Sequence, residues 1–279
     1  MEAAIDLHVH STFSDGTCTP TELVRIAEAK NLRAFALTDH DTVRGIPEAR
    51  EAAADSSVEV IAGIELSTNY NGRDLHILGL GIDYTSEVFL ASLHEFRDSR
   101  TVRNRKLIAS LTAHGIDISV EKLQAEFPAG VLTRAHMAAY LQNHGYVATK
   151  DEAFKRYLGD KAPCFVPREK VTPQMGIDLI HTGGGKAVLA HPLLYGLSRN
   201  GLKTHVGMLK EQGIDGIEVV YSKNQNDDTS RLRHLAEQFE LPITGGSDFH
   251  GENSPGIEMG TGKGNLFVPY SLWEALQHA

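Results

Sequence analysis

Short apolar, β-rich runs alternate with amphipathic helical stretches along most of this chain, and that alternation leaves few folds open. Residues 5–10, 34–37, 58–66, 75–80, 187–190, 216–220 and 241–244 read as strands. Between them, Thr19 is placed to cap a helix opened by Pro20, with Leu23, Ile26 and Ala27 on one face. Residues 173–182 and 229–239 carry similar spacing, and Gly183-Gly184-Gly185 reads as a helix stop. Strand–helix alternation predicts parallel strands joined by crossover helices, so seven strands point to an α/β barrel or near-barrel. The rhythm breaks in the middle. Residues 97–114, 119–127, 133–143 and 149–157 have helical patterns with no good strand among them. The expected organisation is therefore a barrel from 1–85 and 165–279, interrupted by a helical insertion over 86–164.

Three totals narrow the function. No apolar run approaches the ~20 residues that span a bilayer, and the start, Met1-Glu-Ala-Ala-Ile-Asp, has no basic and apolar leader. These features predict a cytoplasmic protein without a membrane partner. Cys18 and Cys164 form no CxxC pair, which argues against a disulfide framework or a thiolate zinc site. The net charge of −9 argues against a long nucleic-acid groove. A small phosphorylated ligand needs only a local cluster of cations, so it stays open.

The ends of the predicted strands carry the chemistry. The first ends Asp6-Leu7-His8-Val9-His10, with Asp15 beyond it, and the second ends Thr38-Asp39-His40-Asp41. Glu65 lies in the third, His76 opens the fourth, His191 follows the fifth, and the seventh runs into Ser247-Asp248-Phe249-His250. His8 and His10, two apart on a strand, share a face. In a parallel β/α barrel the C-terminal strand ends hold the active site, so His8, His40, His191 and Asp248 are expected around a common cluster at one barrel end. With 14 histidines in 279 residues a lone HxH means little, and a single His76 or His191 is more often a hydrogen-bonded core residue. The coincidence at successive strand ends is the signal, because buried polar groups there have no packing reason to exist. Imidazole and carboxylate donors without thiolate suit manganese, iron, zinc or cobalt. Nine candidates exceed what one tetrahedral zinc can use, and bridging carboxylates allow two or three ions. Three divalent ions would outweigh Asp15, Glu65 and Asp248 in charge, which favours an anionic substrate such as a phosphate ester.

The segments around His8 and His10, Thr38-Asp39-His40-Asp41, His76 and Ser247-Asp248-Phe249-His250 resemble the four motifs of the PHP (polymerase and histidinol phosphatase) family, in order, spacing and flanking residues. The resemblance covers 1–85 and 165–279 and is nearest to stand-alone PHP phosphoesterases of the 3′,5′-nucleoside bisphosphate phosphatase and RNase AM type. It implies a distorted seven-stranded (β/α)7 barrel and a trinuclear site. The implied metal ligands are His8, His10, Asp15, His40, Glu65, His76, His191, Asp248 and His250. The implied cofactors are two or three divalent ions, manganese first, with iron, zinc or magnesium as alternatives. Asp39 is either a residue that orients a ligand or a turn-capping Asp.

The implied activity is hydrolysis of phosphate monoesters of small nucleotides, 3′,5′-bisphosphates first, by a metal-bridging hydroxide. Glu65 and Asp248 are the expected catalytic carboxylates, each a candidate bridging ligand on which formation of that hydroxide would depend. Removal of nucleotides from the 5′ end of short RNA is the second reading, and histidinol-phosphate hydrolysis a third. A non-catalytic metal-binding accessory domain is the reading from another class. The resemblance also implies that arginines of the insertion clamp the phosphate. Arg97, Arg100 and Arg103 share a helix side, and Thr133 and Arg134 begin another helix, where backbone N–H groups favour anions. His136 is expected to touch phosphate or protonate the leaving oxygen. Gly260-Thr261-Gly262-Lys263 lacks phosphate-loop spacing and reads as a turn.

Overall fold

The computed structural model describes residues 2–128, 130–159, 161–167 and 171–279. In chain order these form β1 (Ala4–Val9), α1 (Pro20–Ala29), β2 (Ala34–Leu37), α2 (Ile46–Ala52), β3 (Glu59–Tyr70) and β4 (Arg73–Leu80). A helical stretch follows: α3 (Glu87–Ala113), α4 (Val120–Glu126), α5 (Arg134–Asn143), α6 (Lys150–Ala153) and a π-helical turn at Phe154–Leu158. Then come α7 (Pro173–Thr182), β5 (Lys186–Leu189), α8 (Arg199–Glu211), β6 (Gly216–Tyr221), α9 (Asp228–Gln238), β7 (Ile243–Gly246), β8 (Val268–Pro269) and α10 (Tyr270–Gln277). The helix starts follow local chemistry. Thr19 and Glu22 close a reciprocal capping box on α1, and Thr133 and His136 do the same on α5.

One sheet holds the strands in the order β7-β6-β5-β4-β3-β2-β1-β8. It nearly closes into a barrel. Beyond β7, the Asp248 N–H donates to the His8 carbonyl (2.9 Å) and the His10 N–H donates to the Phe249 carbonyl (2.9 Å). The α/β barrel expected from the sequence is therefore present, with two differences. An eighth, two-residue strand, β8, pairs antiparallel with the start of β1; at that length it leaves no periodic signal. And β4 runs antiparallel to both β3 and β5. Only Asn71-Gly72 separates β3 from β4, both residues with positive φ, and so short a link makes a hairpin and no crossover. That reversal has a functional effect: the beginning of β4 lies beside the C-terminal ends of the parallel strands, which brings His76 to the same rim as the others.

The barrel side chains pack as one large apolar cluster (Leu23, Phe35, Ile64, Ile77, Phe89 and Ile217 among them) and a second one around Ile5, Leu7, Leu78 and Trp273. The helices between β4 and β5 bury a cluster of their own, including Leu107, Leu111, Leu123, Met137, Leu141 and Cys164. Helix α3 starts at Glu87, ten residues before the expected 97, because the segment that joins it to the barrel is itself helical and buries Phe89, Leu93 and Phe96. Among the described residues, no helix is long and apolar enough to cross a membrane.

Closure depends on a close backbone approach at Gly246, where a Cβ would run into the His8 side chain and stand 2.7 Å from the His8 nitrogen. Neither strand can give way without breaking the seam. Gly246→Ala is expected to cost about 1–3 kcal/mol, as overpacking does, read as a lower urea midpoint at unchanged m-value.

Candidate metal centre

Every residue named as a metal ligand from the sequence reaches the same end of the barrel. His8 and His10 flank the inward-packed Val9 on β1, and both are fully buried. His40, just past β2, bridges to Glu65 on β3. His76 stands opposite Ser67 across the β3–β4 hairpin. His191 follows β5 with φ 27°, and Asp248 follows β7 with φ 56°. Two non-glycine residues in the left-handed region, both at strand ends and both buried, mark backbone strain held in place by the surrounding structure. Asp15 sits in the loop after β1, where the Asn253 amide donates to its carbonyl (2.7 Å) and the Thr133 hydroxyl to its carboxylate (3.0 Å). His250 completes the set.

Glu65 is the centre of this arrangement. Its Oε1 lies 2.9 Å from His76 Nδ1 and 2.9 Å from His191 Nε2. Its Oε2 lies 3.0 Å from His40 Nδ1, 3.2 Å from His10 Nε2 and 3.5 Å from His8 Nε2. Asp248 stands 3.5 Å from the Nε2 of both His8 and His10, and Asp15 stands 3.3 Å from His250 Nε2 and 3.7 Å from His40 Nε2. Donor atoms gather in four overlapping groups, each within 4.8 Å: His10, Asp15, His40 and His250; His8, Glu65 and His191; His8, His10 and Asp248; and His40, Glu65 and His76.

The cluster fits divalent cations on two counts. Buried ligand atoms lack hydrogen-bond partners: His8 Nε2, His10 Nε2, His40 Nδ1, His191 Nδ1 and Asp15 Oδ1. Such orphans are costly in a folded protein unless something else satisfies them. The electrostatics agree. Burial would push the Glu65 carboxyl up, but the imidazoles of His40, His76 and His8 hold it well below its usual range. Burial would lower His10, yet its contacts with Asp248 and Glu65 push it up to about 10. The carboxylates therefore demand positive charge at the centre. Protons on the imidazoles can supply it, and so can cations that displace those protons. The donor set is one that binds divalent metal.

Four supports escaped the sequence reading. Glu218, fully buried on β6, accepts from His8 Nδ1 (3.0 Å) and from the His191 N–H (2.7 Å), and so fixes two histidines at once. Asp6 accepts from the amides of His8, Ser247 and Gly260 (3.2, 2.9 and 2.7 Å) and from the Ser247 hydroxyl. The turn at Gly260-Thr261-Gly262-Lys263 thus serves to bolt the seam. The Tyr221 hydroxyl donates to Asp248 (2.8 Å), and the Tyr195 hydroxyl receives the His76 N–H (3.0 Å). Glu218 could have been found: a carboxylate inside the apolar run Gly-Ile-Glu-Val-Val-Tyr has no packing reason to be there. Asp39, for which two roles stood open, accepts from the Ser11 amide and from the Ser11 and Ser14 hydroxyls. It caps the loop that begins at His10, and through Ser14 it reaches the His10 ring (3.4 Å).

The expected phosphate-binding residues divide. Arg100, Thr133 and Arg134 line a cavity of about 120 Å³ together with Asp15, His40 and His76. Arg100 is buried, with Nε on Asp41 (2.6 Å) and Nη2 on Ser67 (2.7 Å), so it also ties α3 to the barrel. Arg134 pairs with Asp74 (2.9 Å) and donates to the Leu158 carbonyl. The Thr133 hydroxyl is engaged by Asp15 and by the His136 amide. His136 Nδ1 accepts the Thr133 N–H (3.1 Å). Arg97 lies elsewhere, in a neighbouring cavity of about 470 Å³ with Arg44 and Arg105, and Arg100 borders both.

The PHP domain model matches residues 6–238. The chain belongs to the PHP family. A 5′-3′ exoribonuclease of Haemophilus influenzae is 39% identical over 250 residues, covering 90% of this chain and 91% of the relative. A 3′,5′-nucleoside bisphosphate phosphatase of Chromobacterium violaceum is 32% identical over 277 residues, covering 99% and 97%. Among solved structures, a protein of Bifidobacterium adolescentis assigned to the metal-dependent phosphoesterases superposes with a TM-score of 0.83 at 26% identity, covering 99% of this chain and 96% of that one. This PHP protein is a metal-dependent hydrolase of phosphoester bonds.

Glu218 gives a test of how the PHP cluster is held. Glu218→Ala leaves the His8 ring and the His191 amide without their acceptor. Loss of such support lowers metal affinity by about 10- to 100-fold, to be measured by titration with manganese. Wild-type affinity in a folded variant would mean that His8 needs no such support.

Proposed function

We propose that this PHP protein removes the 3′-phosphate from small nucleotides that carry a 5′-phosphate, that is, from 3′,5′-nucleoside bisphosphates. The observation that carries this reading is the single cavity in which Asp15, His40 and His76 face Arg100 and Arg134. One wall offers cation ligands, the other guanidinium groups matched to phosphate oxygens. The identity to the Haemophilus influenzae exoribonuclease favours a second reading, stepwise removal of nucleotides from the 5′ end of short RNA. Both reactions break the same bond, between phosphorus and the 3′-oxygen of a 5′-phosphorylated nucleotide. They differ only in whether the departing phosphate bears another nucleotide.

Under this reading, His8, His10, Asp15, His40, Glu65, His76, His191, Asp248 and His250 hold two or three divalent ions, manganese by preference over iron, zinc or magnesium. Bound there, such ions supply Lewis acidity and an activated water at neutral pH. The chain's own residues do the rest. Glu65 and Asp248, each within reach of several imidazoles, set the spacing of the ligand groups. Arg100 and Arg134 orient the phosphate, and Arg97 with Arg44 takes the charge at the other end of the nucleotide. His136 is buried, which lowers its imidazole below the ordinary value. With Nδ1 accepting from Thr133, the neutral ring carries its proton on Nε2. That N–H goes to the backbone of Ser14, next to Asp15, so His136 positions the Asp15 loop better than it serves as a charged general acid. The helices of 86–164, with their separate apolar cluster, act as the substrate-clamping unit over the barrel. The working location is the cytoplasm, where nucleotides and short RNA fragments occur.

Rates on 3′,5′-bisphosphates, short 5′-phosphorylated RNA and histidinol phosphate, measured side by side with manganese, test the reading. Turnover of histidinol phosphate alone would reject it. Glu65→Ala and Asp248→Ala are expected to abolish turnover with the far-UV spectrum retained, and chelation followed by manganese should switch the wild type off and on. Near-normal turnover of either variant at full metal occupancy would overturn the assignment. Arg134→Ala should lower kcat/KM by about 10- to 150-fold, the value of a charge-assisted hydrogen bond of roughly 1.5–3 kcal/mol, with metal content unchanged. Arg134→Lys keeps the charge opposite Asp74 but loses the fork, and should recover only part of the rate.

A further inference from the structure

The cavity that contains the cluster residues is too small for its substrate. At about 120 Å³ it falls below the roughly 300 Å³ at which ligand pockets begin. It has room for the phosphate under attack and little else. Two larger cavities adjoin it, each across one shared side chain. The first, across Arg100, is the arginine-lined space of about 470 Å³ already given to the nucleotide. The second lies across Phe154 and measures about 430 Å³. Its walls are Arg73, Phe154, Lys155, Gly159, Lys161, Ala162, Tyr195 and Gly196.

The composition of this second cavity is specific. Of its eight described lining residues, three are cationic and none is acidic, on a chain whose net charge is −9. Arg73, Lys155 and Lys161 are all exposed. Arg73 is fixed by a hydrogen bond to the Tyr195 carbonyl (3.0 Å). Two aromatic rings, Phe154 and Tyr195, stand among the cations, both half-buried. Cations interleaved with aromatic rings are what a single strand of nucleic acid needs: charge for the backbone and ring surfaces for bases. The cavity also joins the metal centre directly. Tyr195 receives the His76 N–H, and Arg73 is three residues before His76 on β4, about 10 Å at strand spacing.

We propose that Arg73, Lys155 and Lys161, with Phe154 and Tyr195, form a subsite for the nucleotides that follow the cleaved linkage in a single-stranded RNA. This rests on the phosphoesterase reading above and extends it. The terminal nucleotide occupies the Arg97 side, the phosphate under attack lies at the cluster, and the departing strand continues over Phe154 onto the lysines. A bisphosphate mononucleotide has nothing to place there, so one centre serves both substrates and only the longer one uses this surface.

The test is binding of a 3′-labelled, 5′-phosphorylated six-nucleotide RNA with phosphorothioate linkages that resist hydrolysis, followed by fluorescence anisotropy at several salt concentrations. The Lys155→Ala/Lys161→Ala variant should bind about tenfold more weakly. Its affinity should also fall less steeply with salt, by about 0.7 in log–log slope for each phosphate that is no longer neutralised. Hydrolysis of the bisphosphate mononucleotide by this variant should stay within about twofold of wild type, or about 0.4 kcal/mol, because neither lysine lines the cluster cavity. Unchanged RNA affinity and salt slope in the variant would overturn the subsite, as would equal losses on RNA and mononucleotide. Failure of the wild type to hydrolyse either substrate would instead strike the phosphoesterase reading, since the binding measurement does not depend on turnover.

Discussion

Glu65, itself buried, gathers five imidazoles around its two oxygens. A buried carboxylate is tolerable only where positive charge is near, and those imidazoles come from β1, the turn after β2, β4 and the turn after β5. The charge requirement of one side chain thus connects most of the barrel rim. Asp248 and Asp15 repeat the pattern on a smaller scale and carry it to β7 and to the insertion, the latter through the Thr133 hydroxyl. The outer supports fall into place around this. Glu218 holds the far side of His8, Tyr221 the far side of Asp248, and Asp39 the loop after His10.

The rim cluster was legible because strand ends are easy to find and histidines at successive ends are hard to explain otherwise. Ile5-Asp6-Leu7-His8-Val9-His10 announces both a strand and its reactive face by alternation alone. Glu65 and His76 were harder, since neither terminates a strand. Their place at the rim follows from the length of β3 and from the reversal at Asn71-Gly72, which apolar periodicity does not encode. Glu218 was missed for the opposite reason: it lies mid-strand, where the eye expects core. The insertion's helices were visible in outline, but what their arginines touch was not. Spacing placed Arg97, Arg100 and Arg103 on one side of α3. It could not say that Arg100 would be engaged partly by Asp41 and Ser67, or that Arg97 would open onto another cavity.

Arg100 is both part of the frame and part of the cavity wall. Its guanidinium holds α3 against the turn after β2 while it borders the cavity beside the cluster. A helix anchored in this way keeps its other cations at a fixed distance from the rim, so the arginines of α3 and the His/Asp/Glu cluster share one rigid support.

The barrel's seam has a consequence for how the protein is made. His8 and His10 sit on one lip of it, Asp248 and His250 on the other, and hydrogen bonds between those two segments close the ring. His8 and Asp248, 240 residues apart in sequence, must therefore meet before the cluster is complete. As the chain leaves the ribosome, His8 and His10 emerge with Asp15, His40, Glu65 and His76 soon after them, and long before Asp248 and His250. The group of His40, Glu65 and His76 is present in the chain early, whereas the groups that need Asp248 or His250 wait for the last long-range docking event of folding. A nascent chain stalled short of residue 248 lacks both Asp248 and the hydrogen bonds that close the ring on His8 and His10.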